Sequence, residues 1–90
     1  MVEKKVLLDN DRVKVIEIRL PVGEKMPMHT HSAYVAYTMN PAKVKFTFPD
    51  GSSRIAEIAK GQATYSDGIT HEIENIGSTD VLNLDIELKS

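Results

Sequence analysis

Apolar and polar residues alternate along almost the whole of this chain, and clusters of Gly, Pro, Asn and Asp interrupt the alternation at short intervals. A period of two puts successive side chains on opposite faces of an extended backbone, so the pattern demands strands. Val44, Phe46 and Phe48 alternate with Lys43, Lys45 and Thr47, and Leu82, Leu84, Ile86 and Leu88 alternate with Asn83, Asp85 and Glu87. Val13 and Val15 give way to Ile16, Ile18 and Leu20 on the opposite phase, which predicts a β-bulge near Val15-Ile16. Asp9-Asn10-Asp11, Pro21-Val22-Gly23, Asn40-Pro41, Pro49-Asp50-Gly51, Ser66-Asp67-Gly68 and the stretch Ile76 to Asp80 supply the turns. The count comes to about eight strands. No window has the periodicity of an amphipathic helix, and there is no internal repeat. The expected class is all-β, a small antiparallel β-barrel or jelly roll, which removes or protects the sheet edges; periodicity alone does not separate a barrel from a sandwich.

The 90 residues are expected to form one domain, 1–90, with a thin core, because a chain this short hides only about 60% of the surface it exposes when unfolded. That thinness favours a homodimer, by strand addition or by packing of outer sheet faces. With 41% hydrophobic and 27% charged residues, neither disorder nor a membrane span is indicated. A net charge of −2 leaves no basic stripe able to neutralise a row of phosphates, so nucleic acid is not an expected partner. There is no cysteine, which removes disulfides, thiolate metal sites and thiol nucleophiles together. The N-terminal run Met1-Val2-Glu3-Lys4-Lys5 does not read as a signal peptide, and the expected location is cytoplasmic.

All three histidines of the chain bear on its chemistry. His29-Thr30-His31 places two imidazoles on the same side of a strand, and His71 opens a later strand. Neutral imidazole is the commonest metal ligand, and three of them arranged facially leave coordination positions open. The plainer alternative is an exposed or internally satisfied H-x-H pair with a structural His71. Gly23, Gly61 and Gly68 read as turn residues, and Asn75 as a turn stabiliser beside Gly77.

These residues resemble the cupin family. Gly23-Glu24-Lys25-Met26-Pro27-Met28-His29-Thr30-His31 is similar to the opening of the first cupin motif, a glycine, five residues and then H-x-H. Gly68-Ile69-Thr70-His71-Glu72-Ile73-Glu74-Asn75 is similar to the end of the second, G-x-x-H-x-x-x-N. Two departures stand out. Val35 and Ala36 occupy the positions where the first motif carries a glutamate ligand, and Ser66 stands for the usual proline of the second.

The resemblance thus implies a site of His29, His31 and His71 holding one divalent metal ion. Fe, Zn, Mn, Ni and Cu all suit such ligands. Three neutral ligands leave the ion's charge uncompensated, so the expected ligand is a small organic anion. The missing glutamate resembles thiol and diketone dioxygenases of this superfamily, which implies a metal-dependent dioxygenase or a related enzyme. The alternative is a non-catalytic module that binds a metabolite or a metal. Tyr37 and Tyr65 are the candidate pocket residues, with Tyr34 a third tyrosine able to line the same space. For each of these rings, as for Met26, Met28 and Met39, core packing is the competing role.

Overall fold

The computed structural model describes residues 1–89, which form nine β-strands and, among the described residues, no helix. They are β1 (Glu3–Asp9), β2 (Val13–Leu20), β3 (Lys25–His31), β4 (Tyr34–Thr38), β5 (Ala42–Thr47), β6 (Ser53–Ile58), β7 (Ala63–Ser66), β8 (Ile69–Asn75) and β9 (Val81–Leu88). Among the described residues no helix is long and apolar enough to cross a membrane.

Two antiparallel sheets face each other, with strand orders β1-β2-β9-β4-β7 and β3-β8-β5-β6. This is the jelly-roll arrangement, with one strand more than the turn count implies and with the sheets left open rather than closed into a barrel. The open edges are blunted in other ways. The edge strand β1 carries Lys4 and Lys5, and β7 at the opposite edge is only four residues long.

The expected bulge at Val15-Ile16 sits one strand away. Along β2 and β9 the register runs unbroken through Val15↔Ile86 and Ile16↔Asp85. The irregularity lies on β1 between Val6 and Leu8, whose partners are Ile16 and Val15. The phase change in the sequence thus marks the residues facing the bulge. A second bulge interrupts β3, between Met26 and His29.

Ile18, Leu20, Met26, Ala42, Val44 and Val81 form the core, and Ile16, Phe46, Ala56, Ile58 and Ile73 pack against it. Only six buried apolar side chains make it thin, as the chain length implies. Asn75, 1% exposed, knits one end of the core together. Its amide donates to the carbonyls of Leu20 and Thr79, and its side-chain oxygen accepts from the Gly77 amide, the turn-stabilising role read from the sequence.

The core occupies one end of the sandwich. Val81 on β9, Leu20 and Ile18 on β2 and Met26 on β3 fill it; further along these strands, the inward-facing residues line a cavity of about 400 Å³.

Candidate metal centre

The β3 bulge makes the site possible. Met26 faces Ile73, and His29 faces His71, so three steps on β3 match two on β8. Strict alternation would send Met26 and His29 to opposite faces; the extra residue brings both inside and leaves Met28 44% exposed. Pro27 lies within this irregular stretch, where its missing N–H costs no regular ladder bond. Its carbonyl accepts a hydrogen bond from His29 Nδ1 at 2.8 Å. A carbonyl can only accept, so that nitrogen carries the proton and the Nε2 lone pair is free to ligate.

His29, His31 and His71 converge, and one ring nitrogen from each lies within 4.8 Å of the others. Ring centroids are 4.6 Å apart for His29 and His31, 4.8 Å for His29 and His71, and 5.4 Å for His31 and His71. Metal–nitrogen bonds of about 2.0–2.1 Å keep any two ligand nitrogens within about 4.2 Å, so a bound ion draws the cluster tighter. Behind the rings are aromatic supports. His71 stacks on Phe46 at 5.2 Å, and His31 stacks on Tyr34 at 4.4 Å.

The electrostatics suit a ligand set. Burial, with the neighbouring His29 and His31, pushes the His71 imidazole down to about 4, so it is neutral at neutral pH. Burial and His29 also lower His31, against the opposing pull of Glu87. The Glu87 carboxylate lies 3.9 Å from His31 Nδ1, too far for a hydrogen bond. His71 Nδ1 is buried and has no hydrogen-bond partner. Three converging imidazoles, two of them pushed toward the neutral form by burial, one with an orphaned buried nitrogen and one oriented by its neighbour's carbonyl, fit a divalent ion.

Of the other candidates, Tyr37 does not reach this space. It pairs with Leu84 and Ala63 on the outer face of the five-stranded sheet and is 40% exposed. Its strand β4 lies in the other sheet from the β3 that carries His29 and His31. Tyr65 borders the cavity mouth but turns outward with its cross-strand partner Val35; it is 61% exposed, and its hydroxyl donates to Asp67. Tyr34 lines the cavity instead. Ala36, at the position of the missing glutamate, also faces inward and brings no charge. Ser66, in the place of the motif proline, accepts a hydrogen bond from the Gly68 amide and holds the turn into β8.

One inward group escaped the sequence reading. Asp85 on β9 is 6% exposed and lines the same cavity, as does Asn83 two residues before it. The signal was present as a polar set on one face of β9, but the apolar set on the other face reads as the buried one.

No family model and no curated protein matches the sequence. Solved structures do. A predicted oxalate decarboxylase from Thermotoga maritima (23% identity, 99% of this chain and 81% of that one, TM-score 0.72) and the polyketide cyclase RemF from Streptomyces resistomycificus (19% identity, 99% and 66%, TM-score 0.76) share the fold. A cupin domain from Bordetella pertussis Tohama I superposes with a TM-score of 0.90. It is 31% identical to this chain over 99% of this chain and 94% of its own. With that identity over its whole length, the same double-sheet fold and a clustered histidine trio, the chain belongs to the cupin family.

Proposed function

We propose that His29, His31 and His71 hold one divalent metal ion and that the adjoining cavity receives a small organic anion that completes its coordination. The observation that supports this most is the convergence of three imidazoles from two neighbouring strands beside a cavity of about 400 Å³. When bound, the ion supplies Lewis acidity, or dioxygen chemistry where it is iron. The protein's own residues orient and exclude. The Pro27 carbonyl fixes the His29 ring, Phe46 and Tyr34 brace His71 and His31, and Ile69, Ile73 and Val44 keep bulk water from one wall.

The reading is a metal-dependent dioxygenase or related enzyme acting on that anion. Structures that share the fold include a predicted decarboxylase and a cyclase, so the fold itself does not select the reaction. Elemental analysis of the purified protein tests the ion. Oxygen uptake by the iron-loaded protein across a panel of small acids tests the reaction; tight anion binding with no uptake makes the protein a binding module instead.

We propose too that two copies pair through the outer face of the five-stranded sheet. Leu8, Val15, Ile86, Val35 and Tyr65 form a cross-strand apolar row there, exposed at Leu8 and Tyr65 and half-buried between them. A row crossing every strand can meet its own twofold copy, as an isologous interface requires. Light scattering after size exclusion is expected to give twice the chain mass, and a strict monomer overturns the pairing.

A further inference from the structure

The cavity beside the histidine trio carries an acidic group of its own. Asp85 on β9 is 6% exposed, lines the cavity, and accepts no hydrogen bond from any described residue. Its cross-strand neighbours are Ile16 on β2 and Ala36 on β4, so neither flank of the strand offers a side-chain donor. Among the described residues the polar side-chain atoms both sealed off and unpaired are His71 Nδ1 and the Asn83 oxygen. The Asp85 carboxyl is unpaired yet open to the cavity.

Little around Asp85 balances a negative charge. On its own strand Glu87 adds a second acid. On β2 the same face carries Lys14, but one rung away, opposite Glu87. Tyr34 on β4 feels the charge without bonding to it. Lys4 on the edge strand β1 is exposed and is the weakest of three influences on the carboxyl. The facing sheet brings the histidine trio, Arg54 and Glu57 to the cavity wall. Arg54 lies over the Phe46 ring at 5.8 Å, and neither it nor Glu57 acts on Asp85. Burial, reinforced by Glu87, pushes the carboxyl from 3.8 up to about 6.

An anion that enters this space meets a like charge on a wall without donors. Two acids that share a confined site do not both stay ionised; one keeps a proton, which joins the pair by a short, charge-assisted hydrogen bond. We propose that Asp85 binds the ligand as a neutral carboxyl, donating its hydrogen to the anion, so that anion and proton enter the cavity together. This rests on the metal-and-anion reading above and adds a ligand contact from the sheet that faces the histidines. The proton comes from solvent; the Asp85 O–H bond forms and no bond in the ligand breaks. A carboxylate or enolate, with an oxygen to spare beyond the one bound to the ion, suits this donor. A halide or a simple thiolate does not.

The test is isothermal titration of zinc-loaded wild-type protein and Asp85→Asn with short alkanoates, 2-hydroxy acids and 2-oxo acids at pH 6 and pH 8, where none of these ligands titrates. Asparagine keeps the shape and a donor but cannot ionise. Wild-type affinity for the tightest ligand is expected to fall, from pH 6 to pH 8, at least about 10-fold more than that of the variant, because only the protonated fraction binds. In buffers of different ionisation enthalpy, the wild type is expected to take up close to one proton more per ligand at pH 8 than Asp85→Asn does. That difference subtracts any proton consumed by displaced zinc-bound hydroxide, which is common to both proteins. Infrared difference spectra of the wild type with carboxylate-labelled ligand give a readout that needs no variant: a neutral protein carboxyl is expected to appear at pH 8 on saturation. Equal pH slopes and equal proton uptake in the two proteins, or no such band, overturn the role of Asp85 and leave the metal-and-anion reading standing. Protein that takes up no zinc, or zinc-loaded protein that binds none of the acids, overturns both.

Discussion

His29 on β3 and His71 on β8 are direct cross-strand partners, with ring centroids 4.8 Å apart and planes inclined at 71°. Two of the three candidate ligands are therefore placed by a single rung of a β-ladder. The third, His31, follows at the same-side spacing on β3, opposite Ile69. A one-residue slip of β3 against β8 turns both of its histidines outward, so the register and the site stand or fall together.

Zinc is expected to raise the melting temperature of the wild-type protein and to bind at one ion per chain. A ligand that binds only the folded state at 1,000 times its dissociation constant adds about 4 kcal/mol. His71→Ala removes one ligand and with it that stabilisation; its affinity is expected to fall by more than about 100-fold, since even partners of ligands cost 10–100-fold. Calorimetric melts with and without zinc, paired with elemental analysis, check this. Equal zinc-induced shifts in the two proteins would contradict the three-histidine site.

The histidine trio was legible because its signal is local: H-x-H at strand spacing, and a glycine-led turn before His71. Asp85 was not. Along β9 the alternation of Leu82, Leu84, Ile86 and Leu88 with Asn83, Asp85 and Glu87 shows that the two faces differ, but not which one turns inward. In this fold the cavity takes Asn83 and Asp85, while the cross-strand partners of Leu84 and Ile86, Tyr37 and Val35, lie with them on the outer face. A polar cavity inverts the usual reading of an amphipathic strand. Tyr37 turns outward for a related reason, since the sequence does not show which face of β4 meets the cavity.

Stability of the metal-free protein is expected to depend on pH through two opposed groups. Burial pushes His71 from the usual 6.5 down to about 4, so between these values the folded state binds fewer protons than the unfolded one. Stability therefore falls as pH drops through that window, by up to about 3 kcal/mol. Burial, with repulsion from Glu87, pushes Asp85 from 3.8 up to about 6; the folded state then binds more protons, and stability rises as pH drops between about 6 and 4. In the wild type the two slopes oppose each other, and the lowered His31 adds to the loss on acidification. Asp85→Asn removes one of them, so urea unfolding in the presence of chelator is expected to show a steeper loss on acidification. An unchanged slope in the variant would rule out the opposed pair.

Asn75→Ala is expected to destabilise the fold without changing zinc stoichiometry. The side chain is 1% exposed and makes three hydrogen bonds to backbone groups of Leu20, Thr79 and Gly77. Truncation leaves those groups with no partner and opens a small cavity beside Leu20, a loss of about 3 kcal/mol. Chemical denaturation reads the loss. A change below about 1 kcal/mol would mean that water replaces the amide.

Gly68 and Gly51 separate backbone strain from pressure on the site. Both have positive φ, +138° and +87°, where a side chain is unfavourable, so Gly→Ala at either position is expected to cost about 1 kcal/mol or more. They differ in what an added Cβ meets. At Gly51 there is open space; at Gly68 the Cβ lies 3.2 Å from the backbone oxygen of His31, with Ser32 just beyond. That neighbour is backbone and cannot swing aside, so relief has to come from a shift of the His31 end of β3. Gly68→Ala is therefore expected to weaken zinc binding as well as stability, whereas Gly51→Ala loses stability alone. Competition with a chelator of known affinity measures the difference. Equal zinc affinities in the two variants would show that the His31 ring is positioned independently of the turn into β8.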